Sequence, residues 1–372
     1  MNIAFYISST GWGGLEMNTL KLARLLTEKN YEITLFSQKE STIYNKGKDI
    51  FSSVVLLKKP GKYFDFISAK KISTALKKRN IQKIMVFDNK DIDVISWTKK
   101  LFFTELMIIY QQHMQLRLNK KDFIHTFRYK SIDYWISPLE YLKSKVLENT
   151  KVQEEKIRVI PLGVDIKRFT KQKYTKQEAR ATLKINPKAP LMGIIGRITE
   201  KKGQLFLVEA LAKLKQENLN VELLIFGSPT VNEPQAQKYF QQIKESVKQN
   251  AMENIVHFVD FNEDVALFYN AIDIFVLATE SETYGMVTIE AMLSGIPVIA
   301  TNSGGTSEIL NFGNYGTLYE YNNTADFCKK LEYMLKNPVE IEAKALSAKE
   351  TAVNKYDQNI EVQEIDKLLN LV

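Results

Sequence analysis

Ile3-Ala4-Phe5-Tyr6-Ile7-Ser8, then Gly11-Trp12-Gly13-Gly14, then Leu15, Thr19, Leu22, Ala23 and Leu26, then Glu32-Ile33-Thr34-Leu35-Phe36: this stretch decides the fold. A short apolar run closed by glycines reads as a buried strand. Apolar positions three and four apart read as a helix with one buried face. A second apolar run reads as another strand. Strand, helix, strand is the unit of a parallel sheet covered on both faces. Working outward, similar runs recur at 53–57, 84–87, 107–110 and 134–137. The same grammar restarts at Leu191-Met192-Gly193-Ile194-Ile195-Gly196, with a helix expected over 203–214 and strands at 222–226, 255–258, 274–277 and 297–300. The expectation is an α/β protein built from two Rossmann-like, doubly wound parallel-sheet domains, 1–165 and 166–356, facing across a cleft that receives ligands at the carboxyl ends of the strands. Val159-Ile160-Pro161-Leu162-Gly163-Val164-Asp165 and the charged stretch to Arg180 read as the linker. Helical spacing over 360–369 predicts a last helix, about 357–372, that crosses back onto the first domain. The two halves show no sequence-level repeat.

The 372 residues are 45% hydrophobic and 25% charged, which excludes disordered, collagen-like and mucin-like chains. A single cysteine, Cys328, rules out an internal disulfide and a cysteine-based zinc cluster. His113, His125 and His257 are too scattered for a histidine-rich metal site. No apolar run reaches the roughly 18 residues of a spanning helix. Residues 1–7 carry neither a basic lead-in nor a small-residue cleavage signal, so they read as a strand and the expected setting is cytoplasmic. The net charge of +8 is uneven: residues 1–165 hold 28 Lys/Arg against 17 Asp/Glu (+11), and 166–372 hold 23 against 26 (−3). In the first half, basic and aromatic residues interleave at 57–64, 97–103 and 117–130, with further lysines over 70–79. Two readings stand side by side: solvated helix faces with aromatic residues turned inward, or docking on an anionic lipid surface. No recognition helix or RNA-binding motif supports nucleic acid as a partner.

Three loops carry candidate chemistry. Gly11-x-Gly13 follows the first strand, but Glu16 takes the sixth position and the second strand ends at Phe36-Ser37 without a ribose-binding acid, which disfavours a hydride-transfer cofactor. Gly13 and Gly14 either let backbone N–H groups approach an anion or form a simple turn. In Glu282-Thr283-Tyr284-Gly285-Met286-Val287-Thr288-Ile289-Glu290 a helix is expected to begin near Gly285. Its positive end, at Tyr284, Gly285 and Met286, suits a phosphate. Glu282 precedes that end and Glu290 lies more than one turn beyond it; two carboxylates would repel a phosphate but suit hydroxyls on either side of one. The plain alternative is a capping Glu and a solvated Glu. Gly196-Arg197-Ile198-Thr199-Glu200-Lys201-Lys202-Gly203 offers cations: Arg197 at a strand end and Lys202 at the next helix start can hold phosphate oxygens, or form an exposed basic loop. Asp91-Ile92-Asp93 reads as acids at a helix start.

Together and in this order, these motifs resemble the retaining GT-B fold glycosyltransferases of family 4 over nearly the full length. The resemblance is carried by Glu282 and Glu290, by Gly196-Arg197 with Lys202-Gly203, by Val159–Asp165, by Gly304-Gly305-Thr306-Ser307-Glu308 and by Gly13-Gly14-Leu15-Glu16. It implies an acceptor-binding first domain and a second domain that binds a UDP- or GDP-sugar. A hexose would pass to a hydroxyl of a glycan or lipid-linked acceptor in bacterial cell-surface polysaccharide or lipopolysaccharide synthesis. The resemblance assigns catalytic roles to Arg197, Lys202, Glu282 and His113, and donor contacts to Gly13, Gly14, Gly196, Tyr284, Gly285, Met286 and Glu290. It implies no metal and no cofactor, because Arg197, Lys202 and the helix end supply the positive charge. A peripheral place on the inner membrane face goes with the basic first half. Leu162 stands where the family usually has Asn, and Asp260 where it often has Gly near the base. His125 and His257 lack any matching context and read as structural. A nucleotide-sugar epimerase or hydrolase of the same fold, or a non-catalytic nucleotide-sugar-binding protein, are the competing classes.

Overall fold

The computed structural model describes residues 1–59, 61, 64–171, 173–230 and 233–371. Pro60, Lys62 and Tyr63 of the basic stretch at 57–64, and Val372, lie outside the described residues. The chain forms two compact units, one of residues 1–163 and 358–372, the other of residues 164–357.

Unit 1 holds β1 (Asn2–Tyr6), β2 (Glu32–Gln38), β3 (Ser53–Leu57), β4 (Lys83–Val86), β5 (Met107–Gln111), β6 (Tyr134–Ser137) and β7 (Ile157–Val159). They form one parallel sheet in the order β3-β2-β1-β4-β5-β6-β7. The continuous apolar run of β1 is explained by its two buried faces. Ala4 and Tyr6 pack with Ile84, Val86, Tyr110 and Trp135. Ile3, Phe5 and Ile7 point the other way, onto Leu22 and Leu26 of the helix Gly14–Glu28 and Ile365 and Leu368 of the helix Gln358–Asn370. Alternation with period two therefore assigns each residue to one of two cores, and no face is left for polar side chains.

Unit 2 holds β8 (Leu191–Ile195), β9 (Glu222–Phe226), β10 (Val256–Val259), β11 (Ile274–Leu277), β12 (Val298–Thr301) and β13 (Thr317–Tyr319), parallel and ordered β10-β9-β8-β11-β12-β13. Met192 and Ile194 pack against Leu207, Leu211 and Leu214 of the helix Gln204–Gln216. In both sheets the strand order reverses beside the first strand, between β1 and β4 and between β8 and β11. Ligands of such sheets bind at that reversal, beyond the carboxyl ends of the strands.

Two local readings need correction. The linker reading of 159–180 is too long. Residues 157–159 are the edge strand β7. The stretch after Val164 belongs to unit 2, where a Thr175/Glu178 capping box starts the helix Lys176–Thr182 and Arg180 meets Asp273 at 2.8 Å. Charge there serves capping and pairing rather than solvation. β13 also went unread, because three residues carry no periodicity. The end of unit 1 is tied by Glu361, a buried carboxylate that accepts from Gly163 N–H (2.9 Å), Lys21 Nζ (2.9 Å) and Gln111 Nε2 (3.0 Å). Lys21 also donates to the Gly163 carbonyl. Among the described residues no helix is long and apolar enough to cross a membrane.

Candidate active site

The loops at the reversal point of the unit 2 sheet carry Arg197, Lys202 and Glu282. Arg197 is exposed two residues beyond β8, and its carbonyl accepts from Gln204 Nε2 at 3.0 Å. Lys202 ends the short 3-10 turn Glu200–Lys202 rather than opening the helix, which begins at Gln204. Its Nζ lies 2.8 Å from Glu282 Oε2, on the loop after β11. Glycine is required at 203: φ is +75° and a Cβ there would stand 2.4 Å from the Ala278 carbonyl oxygen. The first turn of that helix thus presses directly on the end of β11, which brings Lys202 to Glu282.

Gly304 plays the same part on the other side. Its φ is +61°, a Cβ would stand 2.3 Å from Glu282 O, and Gly305 N–H donates to that oxygen at 2.9 Å. The Gly-Gly turn therefore holds the Glu282 backbone, while Lys202 holds its carboxylate. Gly285 follows, and the helix Met286–Leu293 starts with N–H groups that have no intrahelical acceptor. Tyr284 is buried and lies edge-on to Tyr356. The hydroxyls of Thr279, Thr288 and Thr306, all near this loop, are buried without a partner among the described residues.

Glu290 is not a solvated helix residue. Its carboxylate accepts from Tyr269 Oη at 2.8 Å, and the same hydroxyl reaches the Val287 carbonyl at 3.2 Å. Burial pushes its pKa up to about 7, against the pull of the Tyr269 hydrogen bond and the nearby Arg168. Tyr269 sits on the helix Ala266–Ala271, which no motif singles out; only its aromatic character in an apolar segment could have drawn notice. Asp260, the departure from the family pattern, accepts from Ser228 Oγ at 2.9 Å.

Gly13, Gly14 and His113 belong to unit 1. Gly13 precedes the helix Gly14–Glu28 in extended conformation, and Glu16 in its first turn accepts from Ser9 Oγ. His113 follows β5. Its Nε2 is buried with no hydrogen-bond partner among the described residues, and its ring lies 6.2 Å from Phe87. Burial, with Lys21 adding to it, pushes the imidazole pKa down to about 3, so the ring is neutral at pH 7. His125 is bonded to Asp122 and His257 to Glu222 at 2.7 Å.

Asp91 and Asp93 do stand at a helix start: Asp91 ends the 3-10 turn Asn89–Asp91 and precedes the helix Ile92–Trp97, and Asp93 lies in the first turn of that helix. Asp91 is buried and accepts from both Ser8 N–H (2.8 Å) and Ser8 Oγ, and burial pushes its pKa up to about 7. Asp93 lies 2.9 Å from Arg128 Nε. The two acids therefore also link β1 and the helix Phe123–Lys130 to the start of the helix Ile92–Trp97.

Two family descriptions match this chain: Glycosyltransferase Family 4 over residues 12–168 and Glycosyl transferases group 1 over residues 175–352. Mannosylfructose-phosphate synthase of Agrobacterium fabrum is 30% identical over 50% of this chain and 41% of its own length. The chain thus spans less than half the length of curated relatives of this kind. Among solved structures, a glycosyltransferase from Rickettsia africae shares the fold at a TM-score of 0.86 and 22% identity, over 100% of this chain and 99% of that one. The Anabaena protein HepE, crystallised with UDP, does so at 0.86 and 19%, over the whole of both chains. The family matches run from residue 12 to residue 352 with only 169–174 uncovered, and on that ground the chain belongs to the group 1 glycosyltransferases, glycosyltransferase family 4.

Proposed function

We propose that the protein is a retaining, metal-independent glycosyltransferase. It moves a hexose from a UDP- or GDP-sugar to a hydroxyl of a glycan or lipid-linked acceptor in cell-surface polysaccharide or lipopolysaccharide synthesis. The observation that carries this reading is the set of groups at the β8–β11 reversal: Arg197, the Lys202–Glu282 pair at 2.8 Å and the open end of the helix Met286–Leu293. Cations and helix N–H groups suit a diphosphate that gains charge as it leaves. In the bound state Lys202 turns its charge to the diphosphate, Glu282 accepts from sugar hydroxyls, and Glu290 accepts from the ribose hydroxyls. Gly196, Tyr284, Gly285 and Met286 shape the donor seat. Unit 1 takes the acceptor, and Gly13, Gly14 and the neutral His113 keep in that unit the roles the resemblance assigns them.

Arg197→Ala and Lys202→Ala should each lower turnover by about 10²–10³, read as nucleotide release from purified, folded protein. Full activity in either variant refutes the assignment. Activity should survive EDTA, and a strict divalent-metal requirement would contradict the charge argument. Feeding the donor without acceptor separates transfer from epimerisation, which would alter the sugar with no acceptor present.

The basic excess of unit 1 fits a peripheral place on an anionic membrane. Ile67 and Phe123 are 86% and 83% exposed, and Lys70, Lys71, Lys78 and Arg79 line an open groove beside Ile67. Each such cation adds about 1 kcal/mol near an anionic surface. Vesicle co-sedimentation tests it, and equal pelleting with neutral and anionic lipid would remove the electrostatic argument.

A further inference from the structure

Unit 1 has its own sheet reversal, between β1 and β4, and a cavity of about 450 Å³ opens there. Its walls come from the carboxyl ends of four strands: Ser8 after β1, Gln38 ending β2, Lys59 after β3 and Lys90 after β4. Lys120 and Arg128, from the loop and helix after β5, close it. That is the position where doubly wound sheets bind ligands, and the size suits a small polar molecule.

The lining is strongly biased in charge. Lys59, Lys90, Lys120 and Arg128 face one carboxylate, Asp93. Asp93 is already taken by Arg128 Nε, and Lys90 Nζ is held by Asp88 at 2.9 Å. Lys59 and Lys120 have no carboxylate partner among the described residues. Arg128 is 5% exposed, with Nη2 fixed to the Asn89 carbonyl at 2.7 Å, and its Nη1 makes no hydrogen bond among the described residues. A buried guanidinium fixed by one hydrogen bond and one ion pair, with Nε and Nη1 making no hydrogen bond among the described residues, lies beside two lysines without a carboxylate partner and forms an anion seat. Asp91, deeper in the unit, does not oppose an anion with a full charge at neutral pH, since burial pushes its pKa up to about 7.

We propose that this cavity binds the phosphate of a phosphorylated acceptor, so that unit 1 selects acceptors carrying a phosphate group. The proposal rests on reading unit 1 as the acceptor unit, and it adds the chemical class of the acceptor. A phosphate offers three oxygens to Arg128, Lys59 and Lys120. A neutral glycan would leave Lys59 and Lys120 without counter-charge. The phosphate can belong to a soluble phosphosugar or to a lipid headgroup, and the experiment separates the two.

The test uses the full chain, saturated with UDP to occupy the donor unit, and reads binding without turnover. Glycerol 3-phosphate is titrated by calorimetry with glycerol as control, and flotation compares phosphatidic acid with phosphatidylcholine vesicles. Wild-type protein should bind glycerol 3-phosphate and ignore glycerol. The double variant Lys59→Gln/Lys120→Gln should weaken that binding at least tenfold while its UDP affinity stays unchanged. Arg128→Lys should weaken it as well; the lysine pair at the rim keeps the test valid should Arg128→Lys misfold. Binding of phosphatidic acid vesicles alone, lost in the double variant, assigns the site to a lipid phosphate. Binding by the double variant within twofold of wild type, or no binding of either phosphate probe, overturns the proposal. Glycerol 3-phosphate binding that persists in a chain unable to bind UDP supports the subsite and counts instead against the donor reading.

Discussion

Glu290 carries the sharpest test of how the site is built. Its pKa is pushed from 4.5 to about 7 by burial, so the folded chain keeps a proton that the unfolded chain has released between those values. The sign follows directly: with more protons bound in the native state, stability falls as pH rises from about 4.5 to about 7. At 1.36 kcal/mol per unit, the loss between pH 5 and pH 8 is about 2–3 kcal/mol. Glu290→Gln removes the titration and keeps an acceptor for Tyr269 Oη. The amide's own burial cost is the same at both pH values and cancels in the comparison. The variant should therefore gain about 2–3 kcal/mol relative to wild type on going from pH 5 to pH 8. In a unit of this size that is a relative shift in melting temperature of about 5–10 °C. Scanning calorimetry of both proteins at both pH values measures it. If the two melting temperatures move in parallel, with a double difference under about 1 kcal/mol, Glu290 is not a buried, strained acid. On the proposed reading, in which Glu290 accepts from the ribose hydroxyls, the same variant should also bind nucleotide more weakly.

Four further outcomes follow from the geometry. Gly304→Ala should destabilise unit 2 by about 1–3 kcal/mol, since its Cβ meets Glu282 O at 2.3 Å; urea melts followed by circular dichroism give the value, and turnover should fall with it. Tyr269→Phe removes a hydrogen bond to a charged group, worth about 1.5–3 kcal/mol, and should move the acid limb of nucleotide binding to higher pH; an unshifted limb would show that Tyr269 does not position Glu290. Glu361→Ala should cost unit 1 about 2 kcal/mol by leaving Gly163 N–H and Gln111 Nε2 without their acceptor and Lys21 without its counter-charge. Trp12, Trp97 and Trp135 all lie in that unit, so fluorescence-monitored unfolding reports it. Cys328 is buried and its thiol is pushed up to about 11, so native protein should react with thiol reagents at least a hundredfold more slowly than unfolded protein at pH 8.

The alternation of strand and helix, the order of the motifs and the uneven charge were all legible in the chain. They were legible because buried parallel strands must be apolar on both faces, and because glycines in left-handed turns, such as Gly203 and Gly304, tolerate no substitute. From these the fold and the positions of Arg197, Lys202, Glu282 and Gly285 could be read before any coordinates. What the chain could not disclose was which polar side chains would meet. Tyr269 and Glu290 are 21 residues apart, and Lys202 and Glu282 are 80 apart. Asp91 reads as a helix-start acid and is one, but only the folded chain shows that β1 brings Ser8 against it. Lys59, Lys90, Lys120 and Arg128 looked like surface charge until four strand ends drew them round one cavity. Periodicity records which residues leave water, and each residue's own chemistry sets that. Pairing across a sheet reversal depends on strand order and crossover, which only the folded chain decides.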